Sequence, residues 1–378
     1  MVTDMNKRYT NGNGHSNTII TPSLFPPEQA QELADFTFID LFAGIGGTRI
    51  GFERAGGMSV FSSEWDKDSQ KTYQANFGEI PHGDITKISA DEIPDFDVLV
   101  AGFPCQPFSS IGKRQGFMHA TQGTLFYDIL RILKDKKRNG QPKAFLLENV
   151  PGITTHDGGN TFKVIIKSLE EIGYKVFTKI LDAADFGVPQ QRKRIYIVGF
   201  RKDIFGDDIE FDFPKGTNKK AYICDYLEEN VDGYTISKHL QEVYLFKKDD
   251  GRPMLIDKSS KIQVKTLVST YHKIQRLTGT FVKDGATGVR LLTVNECKAI
   301  MGFDKDFIIP VSRTQMYRQM GNSVAIPAVQ AVAAKIAEKL KQLNERKEVK
   351  SGRPTTEPER VGGDITERIV DRVLPAKP

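Results

Sequence analysis

The sequence predicts an α/β fold: a Rossmann-like, mostly parallel, doubly wound sheet with a small β-rich domain inserted into it. Between residues 36 and 200, short apolar runs alternate with amphipathic segments. This alternation is typical of βαβ units, whose right-handed crossovers give parallel strands. The alternation stops after Arg201, and regular apolar spacing returns from Arg290. The chain therefore leaves the sheet domain and comes back to it.

Each predicted element follows from its apolar period. Strands are expected at 36–42, 58–63, a short run ending near Asp84, 96–101, 143–147, 175–182 and 195–200. Helices are expected at 48–55, 66–76, 125–137, 161–172, 293–301 and 326–343. The last helix has apolar residues at helical spacing from Ile326 to Leu343, which should pack back on the sheet.

Five segments are predicted along the chain. They are a flexible arm (1–35), a sheet domain (36–201), a smaller inserted region (202–289), a return to the sheet domain (290–343) and a flexible tail (344–378). The first and last segments are polar or highly charged, a composition that favours disorder.

Composition narrows the class of protein. The chain of 378 residues carries a net charge of +5, which permits a polyanionic partner without demanding one. No apolar run approaches the roughly 18 residues of a membrane span, and the N-terminus lacks the apolar core of a signal peptide. The three cysteines lie far apart with no C-x-x-C pair, which argues against a disulfide framework or a zinc site and suits the cytoplasm.

A glycine-rich turn follows the first predicted strand, at Asp40-Leu-Phe-Ala-Gly-Ile-Gly-Gly47, and Glu64 stands at the end of the second. This layout suits backbone amides that approach a ligand and a carboxylate that binds ribose hydroxyls. The G-x-G-G spacing matches a pyrophosphate cradle poorly, so a nucleoside without phosphates is favoured. Trp65 could stack on a purine, and Asp84 could accept the exocyclic amine of adenine. A tight turn with surface acids is the alternative.

Cys105 stands just past a short apolar run, where open α/β sheets bind ligands. A thiolate there could act as a nucleophile, and Glu148, at the end of the next predicted strand, could assist with a proton. The alternatives are a small buried cysteine and a turn glutamate. A cysteine peptidase is disfavoured, because none of the six histidines is an obvious partner.

Two basic stretches complete the pattern. Gln190-Gln-Arg-Lys-Arg194 precedes a buried strand, so its arginines should face the crevice or a polyanion, unless the turn is merely solvated. Residues 258–283 contain six Lys or Arg and no acid, with hydrogen-bonding side chains between them. That composition suits phosphate contacts and the reading of base edges, although a solvated charged face is the alternative.

These blocks, in this order, resemble the DNA cytosine-5 methyltransferases, in particular the compact bacterial enzymes of restriction-modification systems. The blocks are Asp40 to Gly47, Gly102-Phe-Pro-Cys-Gln-Pro-Phe-Ser109, Glu148-Asn149-Val150, Gln190 to Arg194 and Gly321-Asn-Ser-Val324. The resemblance covers about residues 36–342 and implies the S-adenosylmethionine-dependent methyltransferase fold. The insertion lies where the family has its target recognition domain, and Thr266-Leu267 looks like the family's Thr-Leu signature.

The resemblance implies a role for each block. Cys105 would add to C6 of a flipped-out cytosine, Glu148 would protonate N3, and Arg194 would hold the carbonyl, with Arg192 supporting the site or a phosphate. The implied S-adenosylmethionine site comprises Phe42, Gly44, Gly46, Gly47, Glu64, Trp65, Asp84, Ile85, Pro104, Leu125 and Asn322. Predicted DNA contacts are Lys113, Arg114, Lys261, Lys265, Thr266, Tyr271, Lys273, Gln275 and Arg276. Residues 110–123 would form a mobile lid.

The implied partners are double-stranded DNA and a restriction endonuclease acting at the same site, with no membrane and no metal. The resemblance also implies a monomer in a bacterial cytoplasm, associated with the nucleoid through DNA. Three alternatives stay open: an RNA methyltransferase with the same catalytic set, a nicotinamide-dependent oxidoreductase and a DNA-binding protein without catalysis. The G-x-G-G spacing and Pro104-Cys105 argue against the oxidoreductase.

Overall fold

The computed structural model describes residues 34–103, 125–136, 142–217, 219–284 and 288–351, with side chains up to residue 346. The helix Ile326–Ser351 includes residues 344–351, so the prediction that a flexible tail begins at residue 344 is wrong. The predicted lid, residues 1–33 of the arm and residues 352–378 of the tail lie outside the described part. So do four of the predicted site residues: Pro104, Cys105, Lys113 and Arg114.

A six-stranded sheet organises the first half of the described chain. Its strands are β1 (Phe36–Leu41), β2 (Gly57–Ser63), β3 (Val98–Gly102), β4 (Ala144–Asn149), β5 (Tyr174–Asp182) and β6 (Lys193–Arg201). The spatial order is β2-β1-β3-β4-β6-β5. The pairs β1–β2, β1–β3 and β3–β4 are parallel, whereas β6 is antiparallel to both of its neighbours. The chain thus reverses the strand order beside β1, where doubly wound sheets open a ligand crevice.

The antiparallel strand has a simple cause. Residues 183–192 join β5 to β6 with only a short 3-10 turn, Ala183–Phe186. A parallel crossover needs about a dozen residues or more, usually with a helix. The chain therefore turns back on itself, and β6 enters between β4 and β5.

Helices cover the sheet and its return segment. They are α1 (Gly47–Glu53), α2 (Lys67–Phe77), α3 (Leu125–Lys136), α4 (Asn160–Glu171), α5 (Lys202–Phe205), α6 (Lys238–Leu240), α7 (Val294–Met301), α8 (Arg313–Asn322) and α9 (Ile326–Ser351). One core joins apolar strand residues to α3 and α4, and includes Ile39, Leu99, Leu147, Ile197, Ile129, Leu133, Ile165 and Leu169. In agreement with the apolar stripe, Val329 of α9 lies against Gly51 of α1.

The strand predicted to end near Asp84 is wrong. Residues around His82 form only an isolated bridge to Ser63 at the end of β2. Asp84 instead caps a 3-10 turn, Ile85–Lys87, by accepting a hydrogen bond from the Thr86 amide. Helix α8 was not predicted, because its polar sequence shows no clear apolar period. Asn322 is the last residue of α8.

The described part of residues 202–289 contains two short strands, β7 (Met254–Ile256) and β8 (Thr280–Val282), which pair in parallel. The β-rich character predicted for this region is therefore limited to these strands and a few isolated bridges. Apolar residues of the region share a core with α7 and α8, including Ile256, Leu267, Phe281, Ile300 and Tyr317. The fully buried Arg290, the first residue after this region, pairs with Glu296 at 2.8 Å and with Asp284 of the region at 2.9 Å. These contacts fix the inserted region on the segment that follows it.

By its internal contacts the chain divides into residues 1–338 and residues 339–378. The sheet, the inserted region and the start of α9 belong to the first unit. The second contains the end of α9, up to Ser351. Among the described residues, no helix is both long enough and apolar enough to cross a membrane.

Candidate active site and cofactor cleft

A cleft of about 1400 Å³ opens at the carboxyl ends of β1 to β4. It brings together three predicted catalytic residues, Glu148, Arg192 and Arg194. It is also lined by most of the residues predicted to bind the cofactor: Phe42, Gly44, Gly47, Glu64, Trp65, Asp84, Ile85, Leu125 and Asn322. The two predicted sites are therefore parts of one crevice, as expected where parallel strands end at a common edge.

The turn after β1 has an unusual backbone. Phe42 and Gly44 have positive φ angles of 59° and 57°, and Gly46 has a φ of 87°. A positive φ is costly for a bulky residue such as phenylalanine, and such strain is concentrated at functional sites. Gly46 does not line the cleft. It precedes α1, and a Cβ there would stand 2.2 Å from the Phe77 ring, so this glycine serves the turn itself.

Glu64 connects this turn to the end of β2. One carboxylate oxygen accepts the Gly44 amide at 2.8 Å, and the other accepts the Asp66 amide at 2.7 Å. Burial raises the pKa of Glu64, and these backbone donors oppose the shift. A carboxylate has about four acceptor sites, so Glu64 keeps acceptor capacity for a ligand hydroxyl.

Two further residues shape this half of the cleft. The Trp65 side chain is 73% exposed, so its ring is free to stack on a flat ligand. Asp84 accepts hydrogen bonds from both the amide and the hydroxyl of Thr86, and the hydroxyl bond lowers the pKa of Asp84. The turn predicted as the alternative role of Asp84 is thus present, and the side chain also lines the cleft.

Glu148 and Arg194 form an ion pair in the other half. Arg194 Nε lies 3.0 Å from Glu148 Oε1, and each side chain is only 15% exposed. Burial raises the pKa of Glu148, whereas Arg194 and then Arg192 lower it. Burial of Glu148 thus favours the protonated carboxyl group, whereas the two guanidinium groups favour the carboxylate.

Arg192 has a structural role that the sequence did not reveal. Its guanidinium donates to three backbone carbonyls, of Leu267 at 3.1 Å, Gly321 at 3.0 Å and Ser323 at 2.5 Å. Burial, and then the charge of Arg194, lowers the pKa of Arg192 to about 9. Of the two predicted roles, supporting the site matches these contacts, whereas a phosphate contact does not.

Asn149 is a further residue that sequence reasoning left without a role. Its buried amide nitrogen donates to the Phe103 carbonyl at 2.8 Å, and its oxygen accepts the Val150 amide at 2.8 Å. Phe103 is the last described residue before Cys105. Asn149 therefore fixes the chain where it leaves β3 toward the cysteine. Its place in the Glu148-Asn149-Val150 block was the available signal.

The predicted DNA contacts separate into two groups. Lys261, Lys265 and Lys273 are exposed, and Thr266 and Gln275 are partly exposed. Two predictions are wrong. Tyr271 is a core residue whose hydroxyl donates to the Thr280 carbonyl and accepts the Leu292 amide. Arg276 is buried against Asp250 and donates to the Leu245 carbonyl, so neither side chain is free to reach a duplex.

Comparison with known proteins identifies the family. Residues 36–338 match the family model of the C-5 cytosine-specific DNA methylases. The chain belongs to this family. It is 61% identical over 313 residues to the Type II methyltransferase M.MspI of Moraxella sp, covering 83% of this chain and 73% of that protein. It is also 61% identical over 305 residues to M.BsuFI of Bacillus subtilis, another Type II methyltransferase, covering 80% and 73%. The protein is a DNA cytosine-5 methyltransferase.

Solved structures agree on the fold of this methylase. The Dnmt2 methyltransferase of S. pombe superposes with a TM-score of 0.64 at 22% identity, over 82% of this chain and 99% of that one. A putative DNA modification methyltransferase from an E. coli prophage gives a TM-score of 0.54. The Rossmann-like architecture predicted for the sheet domain is confirmed.

Proposed function

We propose that this methylase transfers a methyl group from S-adenosylmethionine to C5 of a cytosine flipped out of duplex DNA, at one short sequence. The observation that carries the proposal is that the Glu148–Arg194 ion pair and the turn joined by Glu64 and Gly44 line one cleft. An acid and a guanidinium suit a pyrimidine ring. A carboxylate beside an exposed tryptophan suits a nucleoside donor.

The cleft residues fit S-adenosylmethionine. Glu64 would accept hydrogen bonds from the ribose hydroxyls, Trp65 would stack on the adenine, and the backbone around Phe42 and Gly44 would face the methionine part. The remaining predicted contacts, Asp84, Ile85, Leu125 and Asn322, line the same cleft. When bound, the sulfonium supplies an electrophilic methyl group. No group of three or more candidate metal ligands occurs in the described part of the chain, and the proposed reaction needs none.

The residues of the chain carry the rest of the reaction. The Cys105 thiolate forms a bond to C6, and Glu148 gives its proton to N3, so that electron density reaches C5. Arg194 holds the cytosine carbonyl and keeps Glu148 in place. After C5 has taken the methyl group, a base removes the C5 proton, the bond between sulfur and C6 breaks, and the thiolate is restored. The proton on N3 returns to Glu148.

The test begins with bisulfite sequencing of a plasmid after expression, which identifies the cytosine and its sequence context. A duplex with 5-fluorocytosine at that position should then trap a covalent adduct, because fluorine cannot leave as the C5 proton does. Cys105→Ala should bind the duplex and form no adduct. The proposal fails if the wild-type enzyme binds the duplex with S-adenosylmethionine present and no adduct forms.

Glu148→Gln separates acid catalysis from shape. The amide keeps the size of the side chain and cannot give up a proton, so turnover should fall by roughly 10²- to 10⁴-fold. Glu171→Gln is the matched control, since Glu171 lines the same cleft but is exposed on α4. Initial rates of tritiated methyl transfer measure both. Equal turnover of Glu148→Gln and the wild type would mean that the proton comes from elsewhere.

We further propose that the enzyme acts as a monomer and as the modification half of a Type II restriction-modification system. The Type II methyltransferase names of its relatives support the restriction-modification role. DNA as substrate would associate the protein with a bacterial nucleoid. A plasmid methylated in cells should resist an endonuclease that cuts at the mapped site, and full cleavage would argue against the assignment.

A further inference from the structure

The inserted region is bound to the catalytic domain along a short backbone segment, Val264 to Ser269, here called the recognition segment. The Val264 amide donates to the Pro189 carbonyl at 2.8 Å, and the Val264 carbonyl accepts the Gln191 amide at 2.8 Å. The Thr266 hydroxyl donates to the Gln191 carbonyl at 2.7 Å. The segment therefore runs along the residues that lead into β6.

Gln190 fixes the next residue of the recognition segment. Its fully buried side-chain oxygen accepts the Leu267 amide at 2.7 Å, and its nitrogen donates to the Ile300 carbonyl at 2.8 Å. Buried polar groups such as these are costly to leave unpaired. The recognition segment is thus held against both the lead to β6 and the end of α7.

Arg192 extends this connection to the cofactor half of the cleft. The same guanidinium that donates to the Leu267 carbonyl also donates to Gly321 and Ser323, on either side of Asn322. All three residues from Gly321 to Ser323 line the cleft. Arg192 is 3% exposed, so water cannot replace it as the donor.

Gly321 brings the backbones into direct contact. A Cβ at this position would stand 2.2 Å from the Ser269 nitrogen and 2.3 Å from the Val268 carbonyl carbon. The obstacle is backbone, which cannot rotate away as a side chain does. A shift of the recognition segment must therefore be followed by the end of α8.

We propose that Arg192 and Gly321 are positioning residues that couple target binding to cofactor binding. A duplex held by the inserted region would fix the recognition segment, and through it the end of α8 at residues 321–323, beside the cofactor. This inference rests on the proposed function. Coupling of this kind is reciprocal and typically changes affinity by roughly 5- to 150-fold. The duplex should tighten the binding of the cofactor product, S-adenosylhomocysteine, and this product should tighten the binding of the duplex by the same factor.

Calorimetry with S-adenosylhomocysteine tests the proposal. Its Kd is measured with and without the duplex that carries the mapped cytosine, and the ratio is the coupling. We expect a ratio of at least about 5 for the wild type. Arg192→Lys and Gly321→Ala should each bring the ratio toward one. Thermal unfolding checks that each variant is folded. If neither variant folds, the wild-type ratio decides the test, measured once by titrating S-adenosylhomocysteine and once by titrating the duplex.

Two controls keep the interpretation specific. Lys273→Gln should weaken binding of the duplex, and Trp65→Ala should weaken binding of S-adenosylhomocysteine. Each variant should keep the wild-type ratio of the two Kd values. If both ligands bind the wild type separately but its ratio is one, the coupling is refuted and the proposed function stands. If a folded Gly321→Ala and a folded Arg192→Lys keep the full ratio, these residues do not carry it. If the protein binds neither ligand, the proposed function itself fails.

Discussion

Asp40, in β1, is a buried carboxyl group beside the cleft whose ionisation is unfavourable in the folded protein. Its side chain is fully buried, and burial raises its pKa to about 8. The Arg49 guanidinium opposes this shift, and the charge of Glu64 adds to it. The hydroxyl of Tyr73 is the other titratable group that senses Asp40. A charge that must be suppressed for the fold to form makes stability depend on pH.

Asp40→Asn should remove that dependence. The pKa of Asp40 is higher in the folded protein than the 3.8 of the unfolded chain. The contribution of this carboxyl group to folding stability is therefore fully present below pH 3.8 and is lost as the pH rises toward 8. The limiting slope is about 1.36 kcal/mol per pH unit for one proton. The variant should therefore exceed the wild type in stability at pH 8 and show a flatter profile from pH 5 to 8.

Urea unfolding at pH 5, 6.5 and 8 measures this difference. Asp91→Asn is the control, because Asp91 is exposed on a surface turn and should keep the wild-type profile. An Asp40→Asn profile that runs parallel to the wild type would show that another group causes the pH dependence.

At the scale of single residues, the sequence predicted where a side chain lies in the fold better than which groups it contacts. Glu148 and Glu64 were each predicted at the end of a strand, and both line the one cleft because these strands end at a common edge. Tyr271 and Arg276 were misjudged. A count of charges and hydrogen-bonding groups does not tell which side chains the inserted region buries. The carbonyl contacts of Arg192 were equally out of reach, since they depend on how distant turns meet.

At the scale of elements, apolar period was a good guide where it was strong. Strands β1, β2 and β4 and helices α3 and α4 lie within two residues of their predicted bounds. The direction of β6 could not be read from its own residues, because orientation depends on the length of the link before it. Helix α8 is held by tertiary contacts of Met316, Tyr317 and Met320 in a polar sequence, which a period search overlooks.

Gly199 tests the packing between β4 and β6. It pairs with Phe145 in the antiparallel ladder, and a Cβ at residue 199 would stand 2.1 Å from the Phe145 ring. Phe145 is itself fully buried, so its ring has little room to move. Gly199→Ala should therefore destabilise the protein by about 1–3 kcal/mol, the usual cost of overpacking a core.

Gly152→Ala is the matched control, since a Cβ there meets nothing within 4 Å. Urea unfolding of both variants under one condition gives the comparison. If Gly199→Ala is as stable as Gly152→Ala, the sheet accommodates the methyl group and the ring contact does not limit it.

For the molecule as a whole, the distribution of charge matters more than its sum. The net charge of +5 is modest, yet residues 258–283 contain no acid. Two of the six cations there are paired with acids outside the stretch, Arg276 with Asp250 and Lys283 with Asp257. Within the described part of the chain, Lys258, Lys261, Lys265 and Lys273 form no such pair. These four lysines are the charges available to a polyanion.

Replacing Lys261, Lys265 and Lys273 together by glutamine should lower the salt dependence of duplex binding. Each lost phosphate contact reduces the slope of log K against log salt by about 0.9, so the triple variant should lose up to about 3. Replacing Lys163, Lys167 and Lys179 by glutamine changes the net charge equally on α4 and β5, and serves as the control. Fluorescence anisotropy between 50 and 300 mM salt gives both slopes. Equal slopes would mean that net charge alone attracts the duplex, whereas a loss confined to the first variant assigns the phosphate contacts to the inserted region.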